Sequence, residues 1–314
     1  MNILSPARNA AFVTFILMLM SGCTPLEIKP DEFKPIPKLV TPKSHNIALV
    51  LGAGGARGFA HIGVIEELVK AGIDPDIIIG CSSGAIVGAV YADNPNIKHL
   101  KHTLLSNKRS DLIQIDLMHM PIGVTSGQKM DSFLKKNLKA KRFSQLKRHL
   151  ITVATDLQTG KLTAFNQGPL SKAVAASSAV PGVFYPVKHY GHYYVDGGVT
   201  DPLPTKVAKN IHANFIIAVD IGVELPKSMP SNLLGVMARS LEIAYNHSSK
   251  SSFKDADYVI NVPLNDFGMF SDKHNYQTYQ FGRKAAKKAL PEIKRLLNNN
   301  RIKSSLSLPF PSIN

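Results

Sequence analysis

Residues 47–91 read IALVLGAGGARGFAHIGVIEELVKAGIDPDIIIGCSSGAIVGAVY, and their pattern decides the fold. Two short apolar runs, Ile47–Leu51 and Asp76–Ile79, each lead into glycine and predict buried strands. Apolar residues at helical spacing follow the first run over Phe59–Ala71, and small residues follow the second over Gly84–Tyr91. Strand, helix, strand, helix in this order predicts parallel strand pairing in an α/β sheet.

The rest of the chain continues this pattern. Further strands are predicted at Leu150–Thr155, Lys161–Phe165, Tyr193–Val195, Phe215–Asp220 and Tyr258–Val262, and further helices at Lys129–Leu138, Pro204–Asn210, Leu233–Ser249 and Tyr276–Leu297. We predict one α/β domain over residues 46–298, with a central, mostly parallel sheet flanked by helices. Residues 299–314, which follow the start of an asparagine run and contain two prolines, are predicted to form a flexible tail.

Composition narrows the class of protein. The chain has 314 residues, of which 44% are apolar and 19% charged, and this excludes a disordered, collagen-like or coiled-coil protein. The formal net charge of +15 favours anionic partners such as phospholipid headgroups. Two cysteines exclude a disulfide framework. Because no His, Cys and Asp residues share metal-ligand spacing, we expect no metal and no other cofactor.

The N-terminus resembles an export signal. Arg8 precedes an uncharged run, Asn9–Met20, that is too short to span a bilayer, so residues 1–22 are predicted to be a signal peptide. The sequence Met20-Ser21-Gly22-Cys23 resembles a bacterial lipobox, which implies that Cys23 is the lipid anchor. The alternative is an ordinary leader that contains an incidental cysteine.

A tether is predicted between this anchor and the domain. Residues 23–45 alternate prolines with lysines and predict a stiff, extended segment. Thr24, rather than aspartate, follows the cysteine. By resemblance to lipoproteins, this favours the bacterial cell envelope, at the outer membrane and facing the periplasm.

Gly80-Cys81-Ser82-Ser83-Gly84 is the strongest local signal of chemistry. It fits the G-x-S-x-G pattern between a strand and a helix, where a sharp turn presents the middle serine as a nucleophile. The positive potential at the following helix N-terminus would favour loss of the serine proton. Ser82 is therefore the candidate nucleophile, although the same pattern also occurs as a simple tight turn with a capping serine.

The glycine-rich segment Gly52–Gly58 also lies between a strand and a helix. One use would be a phosphate cradle in a nucleotide-binding protein, but Arg57 stands where the dinucleotide fingerprint needs its last glycine. The other use is an oxyanion hole formed by the N–H groups of Gly54 and Gly55, and one such donor can lower a barrier by about 3 to 4 kcal/mol. We favour the oxyanion hole because both loops would lie at the carboxyl ends of adjacent parallel strands.

A serine nucleophile also needs a base. Asp196-Gly197-Gly198 follows an apolar and aromatic run, and its glycines would let the carboxylate enter a crowded site, although such a sequence is often only a turn. A serine, aspartate and histidine triad is the alternative. It would use His212, His247 or His274, none of which lies in a glycine-rich or strand-end setting.

Four blocks in order resemble the patatin-like phospholipase family, and most nearly its bacterial branch similar to the neuropathy target esterase catalytic domain. They are Gly54–Gly58, the turn around Ser82, Ala176–Gly182 and Asp196–Gly198, within a likeness that spans about Ile47 to Asp220. The resemblance implies a Ser82–Asp196 dyad without histidine, an acyl-enzyme, and Gly54 and Gly55 as oxyanion donors. It also implies that Arg57 either pins the loop or meets a substrate phosphate.

The expected activity is hydrolysis of carboxylic esters of phospholipids or other acyl lipids. The first rival is a catalytically silent envelope protein that keeps the fold and binds lipid or a protein partner. Residues 98–148 carry twelve basic against three acidic residues, with apolar residues between them, and predict either a lid or lipid-facing region or an ordinary solvated helical surface. Without aromatic interleaving or a reader motif, we expect no nucleic-acid partner.

Overall fold

The computed structural model describes residues 34–41, 47–106, 123, 125–225, 228–265, 267–269 and 274–306. The signal peptide, Cys23 and most of the predicted tether lie outside these residues, as do residues 107–122 of the basic region. Among the described residues, no helix combines the length and the apolar character needed to cross a bilayer.

Eight strands form one sheet within the described part of the chain. They are β1 (Ile47–Leu51), β2 (Ile77–Cys81), β3 (His149–Asp156), β4 (Leu162–Phe165), β5 (Val187–His189), β6 (His192–Asp196), β7 (Phe215–Asp220) and β8 (Tyr258–Asn261). The order across the sheet is β5-β6-β3-β2-β1-β7-β8, with β4 paired to β3. The five neighbouring strands β3, β2, β1, β7 and β8 are mutually parallel, whereas β4 and β6 are antiparallel to β3, and β5 is antiparallel to β6. The predicted mostly parallel α/β sheet is confirmed.

Eight α-helices flank this sheet in the same described residues. They are α1 (Phe59–Lys70), α2 (Ser83–Asp93), α3 (Ile97–Leu105), α4 (Gln128–Asn137), α5 (Leu170–Ser177), α6 (Thr205–Asn210), α7 (Leu233–Ser252) and α8 (Asn275–Leu306). Alternate residues of the central strands point to opposite faces, so each face has its own apolar cluster. Leu49 and Leu51 belong to the face covered by α1 to α5 and α8, and Ala48 and Val50 to the face covered by α6 and α7.

The structure differs from the sequence prediction at the C-terminal helix. α8 continues to Leu306, whereas the sequence predicted that it ends at Leu297 and that a flexible tail begins at residue 299. The side-chain amide of Asn300 donates a hydrogen bond of 2.7 Å to the carbonyl of Asn214. This contact ties the last turns of the helix to the loop before β7.

Three elements were missed by the sequence analysis: α3, α5 and β5. α3 overlaps residues 98–148, for which the prediction rests on basic charge rather than on apolar spacing. α5 is built largely from small residues without a strong apolar stripe, and the three residues of β5 are too few to show a period of two.

Residues 34–41 of the predicted tether lie against the domain without forming a helix or strand. The side-chain amide of Asn166 bonds both the N–H and the carbonyl of Val40, at 3.1 and 2.7 Å. The N–H of Lys34 donates to the carbonyl of Tyr190, and Ile36 packs on the core. These contacts hold the segment beside the edge of the sheet formed by β4 and β5.

Candidate active site

Ser82 occupies a sharp turn between β2 and α2. Its backbone has φ 55° and ψ −121°, in the left-handed half of conformational space that side chains other than glycine rarely adopt, at a cost of about 1–3 kcal/mol. The turn requires Gly84, because a Cβ there would lie 2.1 Å from the carbonyl oxygen of Leu51 on β1. The chain geometry is that of the predicted nucleophile turn.

The end of α5 holds this strained turn in place. The hydroxyl of Ser177 accepts a hydrogen bond of 3.1 Å from the N–H of Ser82, and the hydroxyl of Ser178 donates one of 3.1 Å to the carbonyl of Ser82. The next residue, Ala179, accepts a hydrogen bond of 2.9 Å from the N–H of Asp196. Three consecutive residues of the Ala176–Gly182 block therefore position both the candidate nucleophile and the candidate base.

Asp196 ends β6 and is fully buried. β6 pairs with β3, which pairs with β2, so the sheet brings Asp196 next to the turn that carries Ser82. Its Oδ1 accepts hydrogen bonds from the N–H of Gly198, at 2.8 Å, and from the hydroxyl of Tyr245, at 3.2 Å. Its Oδ2 is buried and has no hydrogen bond of ordinary geometry among the described residues.

The environment of Asp196 makes its carboxylate a stronger base. Burial raises the pKa of Asp196 to about 6, and hydrogen bonding from Ser82, Gly198 and Tyr245 offsets part of that rise. Because the sheet brings Asp196 next to the Ser82 turn, its unpartnered Oδ2 is available to a hydroxyl from that turn. A carboxylate of this kind can accept a proton near neutral pH more readily than an exposed one.

The glycine-rich loop meets the Ser82 turn directly. A Cβ on Gly58 would lie 2.5 Å from the Cβ of Ser83, so the loop passes against the first turn of α2. Within the loop, the N–H groups of Ala53, Ala56 and Arg57 donate to backbone carbonyls. The N–H groups of Gly54 and Gly55 make no such bond with any residue that the structure describes, as oxyanion donors require.

Arg57 is buried with 2% of its side chain exposed and pairs with Glu242 of α7, Nη1 to Oε1, at 3.0 Å. Burial lowers the pKa of Arg57, and the neighbouring Glu242 raises it again in part. The Nε of Arg57 is also buried, has no hydrogen-bond partner in the described structure, and lies 3.5 Å from where a Cβ on Gly54 would be. These contacts hold the glycine-rich loop in place and leave the Nε–H of Arg57 beside it without a partner among the described residues.

One turn of α7 therefore contacts both halves of the site. Glu242 holds the glycine-rich loop through Arg57, and Tyr245, three residues later, holds Asp196. Burial raises the pKa of the Tyr245 phenol well above its ordinary value, with the nearby Asp196 carboxylate adding to the rise, so the phenol remains a hydrogen-bond donor. Sequence reasoning missed both residues because α7 has no recognisable motif.

The three histidines of the alternative triad lie elsewhere. His212 is exposed just before β7, at the end of the sheet opposite Ser82. His247 faces a groove beside β8, and the ring of His274 packs edge-on against Phe267. None of them is among the groups that influence the pKa of Asp196.

Several cations of the basic region are engaged in ion pairs. Lys135 pairs with Asp131 at 2.6 Å, Lys101 pairs with Glu66 at 3.5 Å, and Arg148 pairs with Asp74. The lid or lipid-facing role of residues 98–148 remains a prediction.

Comparison with known proteins agrees with this arrangement of strands and loops. Residues 49–209 match the family model described as patatin-like phospholipase, and this match spans half of the chain. The chain belongs to the patatin-like phospholipase family.

Related sequences come from bacteria and animals. An uncharacterised NTE family protein of Mycobacterium tuberculosis is 34% identical over 220 residues, which are 68% of this chain and 61% of that protein. The human patatin-like phospholipase domain-containing protein 6 is 29% identical over 198 residues, which are 61% of this chain and 14% of that protein. The chain thus matches about three fifths of the mycobacterial relative and a small part of the human one.

A solved structure shares the fold. VipD from Legionella pneumophila superposes with a TM-score of 0.55 at 13% sequence identity, covering 90% of this chain and 73% of VipD. At this identity the likeness concerns the fold alone.

Proposed function

We propose that this chain is a serine acyl hydrolase that cleaves carboxylic esters of lipids, of the phospholipase A or lysophospholipase type. Membership of the patatin-like phospholipase family supports lipid esters as the substrate class. The observation that carries the proposal is the buried Asp196 carboxylate at the end of β6, beside the strained Ser82 turn, against which the glycine-rich loop also packs.

In the proposed first half-reaction, the Ser82 hydroxyl gives its proton to Asp196 as its oxygen attacks the ester carbon. The N–H groups of Gly54 and Gly55 donate hydrogen bonds to the oxygen that gains negative charge. The tetrahedral intermediate then collapses, the bond to the alcohol breaks, and Asp196 returns the proton to the departing alkoxide. An acyl group remains on Ser82.

In the second half-reaction, water replaces the alcohol. Asp196 accepts a proton from water as the water oxygen attacks the acyl carbon, and the same two N–H groups stabilise the second intermediate. Its collapse releases the fatty acid and returns the proton to Ser82. We assign Arg57 to position the loop through Glu242, and its free Nε supports the further proposal that it meets a polar group of the substrate.

The dyad is tested with Ser82→Ala and Asp196→Asn in turnover of p-nitrophenyl butyrate and of dispersed diacyl phosphatidylethanolamine. Each variant should lose about a thousandfold or more in kcat, as removal of a nucleophile or its base does. A fluorophosphonate should label Ser82 in the unaltered chain and fail to label Ser82→Ala.

The matched controls are Ser83→Ala and Asp201→Asn. Ser83 is the next residue, and its buried hydroxyl has no hydrogen-bond partner within the described structure; Asp201 is a half-buried acid five residues after Asp196. Both controls should keep most of the activity. Full activity in either dyad variant would overturn the mechanism, and a folded, unaltered chain that turns over neither ester would favour the silent lipid-binding alternative.

We also propose that residues 1–22 are a signal peptide, that Cys23 is lipidated, and that residues 23–45 connect it to a hydrolase domain over residues 46–298. The lipobox-like sequence supports this layout and an outer-membrane location facing the periplasm. In bacterial cells, [³H]palmitate should label the unaltered chain in the outer-membrane fraction and not Cys23→Ala. Equal labelling of both chains would reject the anchor without affecting the hydrolase proposal.

A further inference from the structure

A groove of about 990 Å³ lies at the β8 edge of the sheet, away from Ser82 and Asp196. α7 and α8 cover opposite faces of the sheet, and β8 is the last strand, so the two helices form the walls and β8 forms the floor. Three large apolar side chains on its rim, Leu225, Ile243 and Phe281, are 41, 40 and 36% exposed. Exposed apolar residues grouped around one groove are typical of a binding surface.

The floor of this groove carries unused backbone hydrogen-bonding groups. β8 pairs with β7 in parallel, and the N–H of Val262 donates to the carbonyl of Asp220. This register turns the backbone N–H and carbonyl groups of Val259 and Asn261 away from β7 and toward the groove. No strand of the described chain pairs with that side of β8.

Three lysines line the two helical walls of the groove. Lys250, near the end of α7, lies on one wall, and Lys284 and Lys288, one turn apart on α8, lie on the other. No ion pair involving these lysines occurs within the described residues. Asp220, which pairs with Asn261 at the end of β8, and Glu224 also line the groove.

These features favour an extended peptide, rather than an acyl chain, as the ligand of the groove. An acyl chain has no donors or acceptors, so it would bury the open edge of β8 without satisfying it, and unsatisfied buried backbone groups are costly. An extended peptide supplies both kinds of group along its length and places alternate side chains against the two helical walls. The three lysines on the helical walls would pair with acidic residues of the peptide.

We propose that this groove binds an extended peptide segment of a partner protein, added as a strand next to β8 with its acidic residues paired to Lys250, Lys284 and Lys288. This inference is independent of the proposed esterase activity.

The probe is a fluorescein-labelled heptapeptide in which valine alternates with threonine before two C-terminal glutamates, measured by fluorescence anisotropy with the full chain. Binding should weaken about tenfold or more in Lys284→Glu/Lys288→Glu, since like charges would then face each other. The matched control, Lys98→Glu/Lys136→Glu, makes the same change in net charge on exposed residues outside the groove and should bind as the unaltered chain does.

A second set of peptides tests strand pairing without changing the protein. Two forms of the same heptapeptide carry N-methyl groups on alternate amides, one form on each edge of the strand. Each form keeps its charge but loses the donors on one edge, so the form methylated on the edge that faces β8 should not bind. Hydrogen exchange at the amides of Val259 and Asn261 should slow when the unmethylated peptide is present.

Equal binding of the unmethylated peptide and both methylated forms would overturn the proposal, as would unchanged exchange at Val259 and Asn261. Failure of the unmethylated peptide to bind, together with saturable binding of dodecanoate that is lost in Lys284→Glu/Lys288→Glu, would instead assign the groove to an acyl chain. Circular dichroism of the same variants provides an independent check that the domain is folded.

Discussion

Tyr245 adjusts the pKa of the proposed base, because its hydroxyl donates to Asp196 and holds the pKa of that carboxylate below the value that burial alone would give. In the unaltered chain, kcat/KM should fall about tenfold per pH unit below about pH 6, where Asp196 becomes protonated. In Tyr245→Phe the pKa of Asp196 rises, so this acid limb should move to higher pH. The measurement is kcat/KM for p-nitrophenyl butyrate between pH 4.5 and 9.

The control for this prediction is Tyr193→Phe, a tyrosine on β6 that does not contact Asp196. A loss of activity in Tyr245→Phe that is equal at every pH would show that the phenol only supports the fold.

Ionised Asp196 should also lower the free energy of unfolding near neutral pH, where the proposed reaction needs the carboxylate in its charged form. Its pKa is about 6 in the folded protein against an ordinary 3.8, so the folded state holds the proton more tightly than the unfolded state does. Its contribution to stability is therefore full below about pH 3.8 and is lost as the pH rises to about 6. Asp196→Asn should consequently be more stable than the unaltered chain at pH 8, by at most about 3 kcal/mol.

Urea unfolding at pH 4.5 and pH 8 measures this difference, which should be smaller at the lower pH. Asp255→Asn provides a control of opposite sign, because the hydrogen bond and charge of Lys209 lower the pKa of Asp255 in the folded state. An Asp196→Asn variant that is less stable than the unaltered chain at pH 8 would contradict the inferred cost of ionising this residue.

Among the elements, the glycine-rich loop has little room for a larger residue at Gly54. A Cβ on Gly54 would lie 2.6 Å from the Cδ1 of Ile221, just after β7. Gly54→Ala should displace the oxyanion donors and lower kcat by about a hundredfold or more. Ile221→Ala removes the obstructing atoms, so the double variant should recover part of the lost kcat in the same ester assay.

Ile221→Ala alone serves as the control for lost packing. If Gly54→Ala keeps full activity, the loop does not supply the oxyanion donors; if the double variant recovers nothing, contact with Ile221 is not the cause of the loss.

The elements also show what the sequence could and could not predict. The Ser82 turn and the loop at Gly54 were predictable, because each is a local pattern of glycines between a strand and a helix. The roles of Ser177, Ser178 and Tyr245 were not, since each depends on a contact with a residue at least 49 positions away. The adjacent serines near the end of α5 were a signal in the sequence, but short helices of small residues lack the apolar period that would have revealed α5.

At the scale of the whole molecule, the two edges of the sheet differ. Residues 34–41 lie along the edge formed by β4 and β5, whereas β8 at the other edge is open to its groove. Asn166 bonds both backbone groups of Val40, so Asn166→Ala should release this segment and increase the rate of tryptic cleavage after Lys38 about fivefold or more. Mass spectrometry of the first fragments measures the rate.

Asn210→Ala, an exposed asparagine at the end of α6, is the control and should leave cleavage unchanged. If Lys38 is cut equally fast in Asn166→Ala and the unaltered chain, Asn166 does not hold the segment on the domain.

The attachment of Ser82 and Asp196 to three successive residues at the end of α5 has a mechanical consequence. A displacement of that helix end would carry the alcohol and the carboxylate along together, so it would translate the pair without widening the gap between them. The separation between the proposed nucleophile and the proposed base should therefore depend little on motion of the rest of the domain.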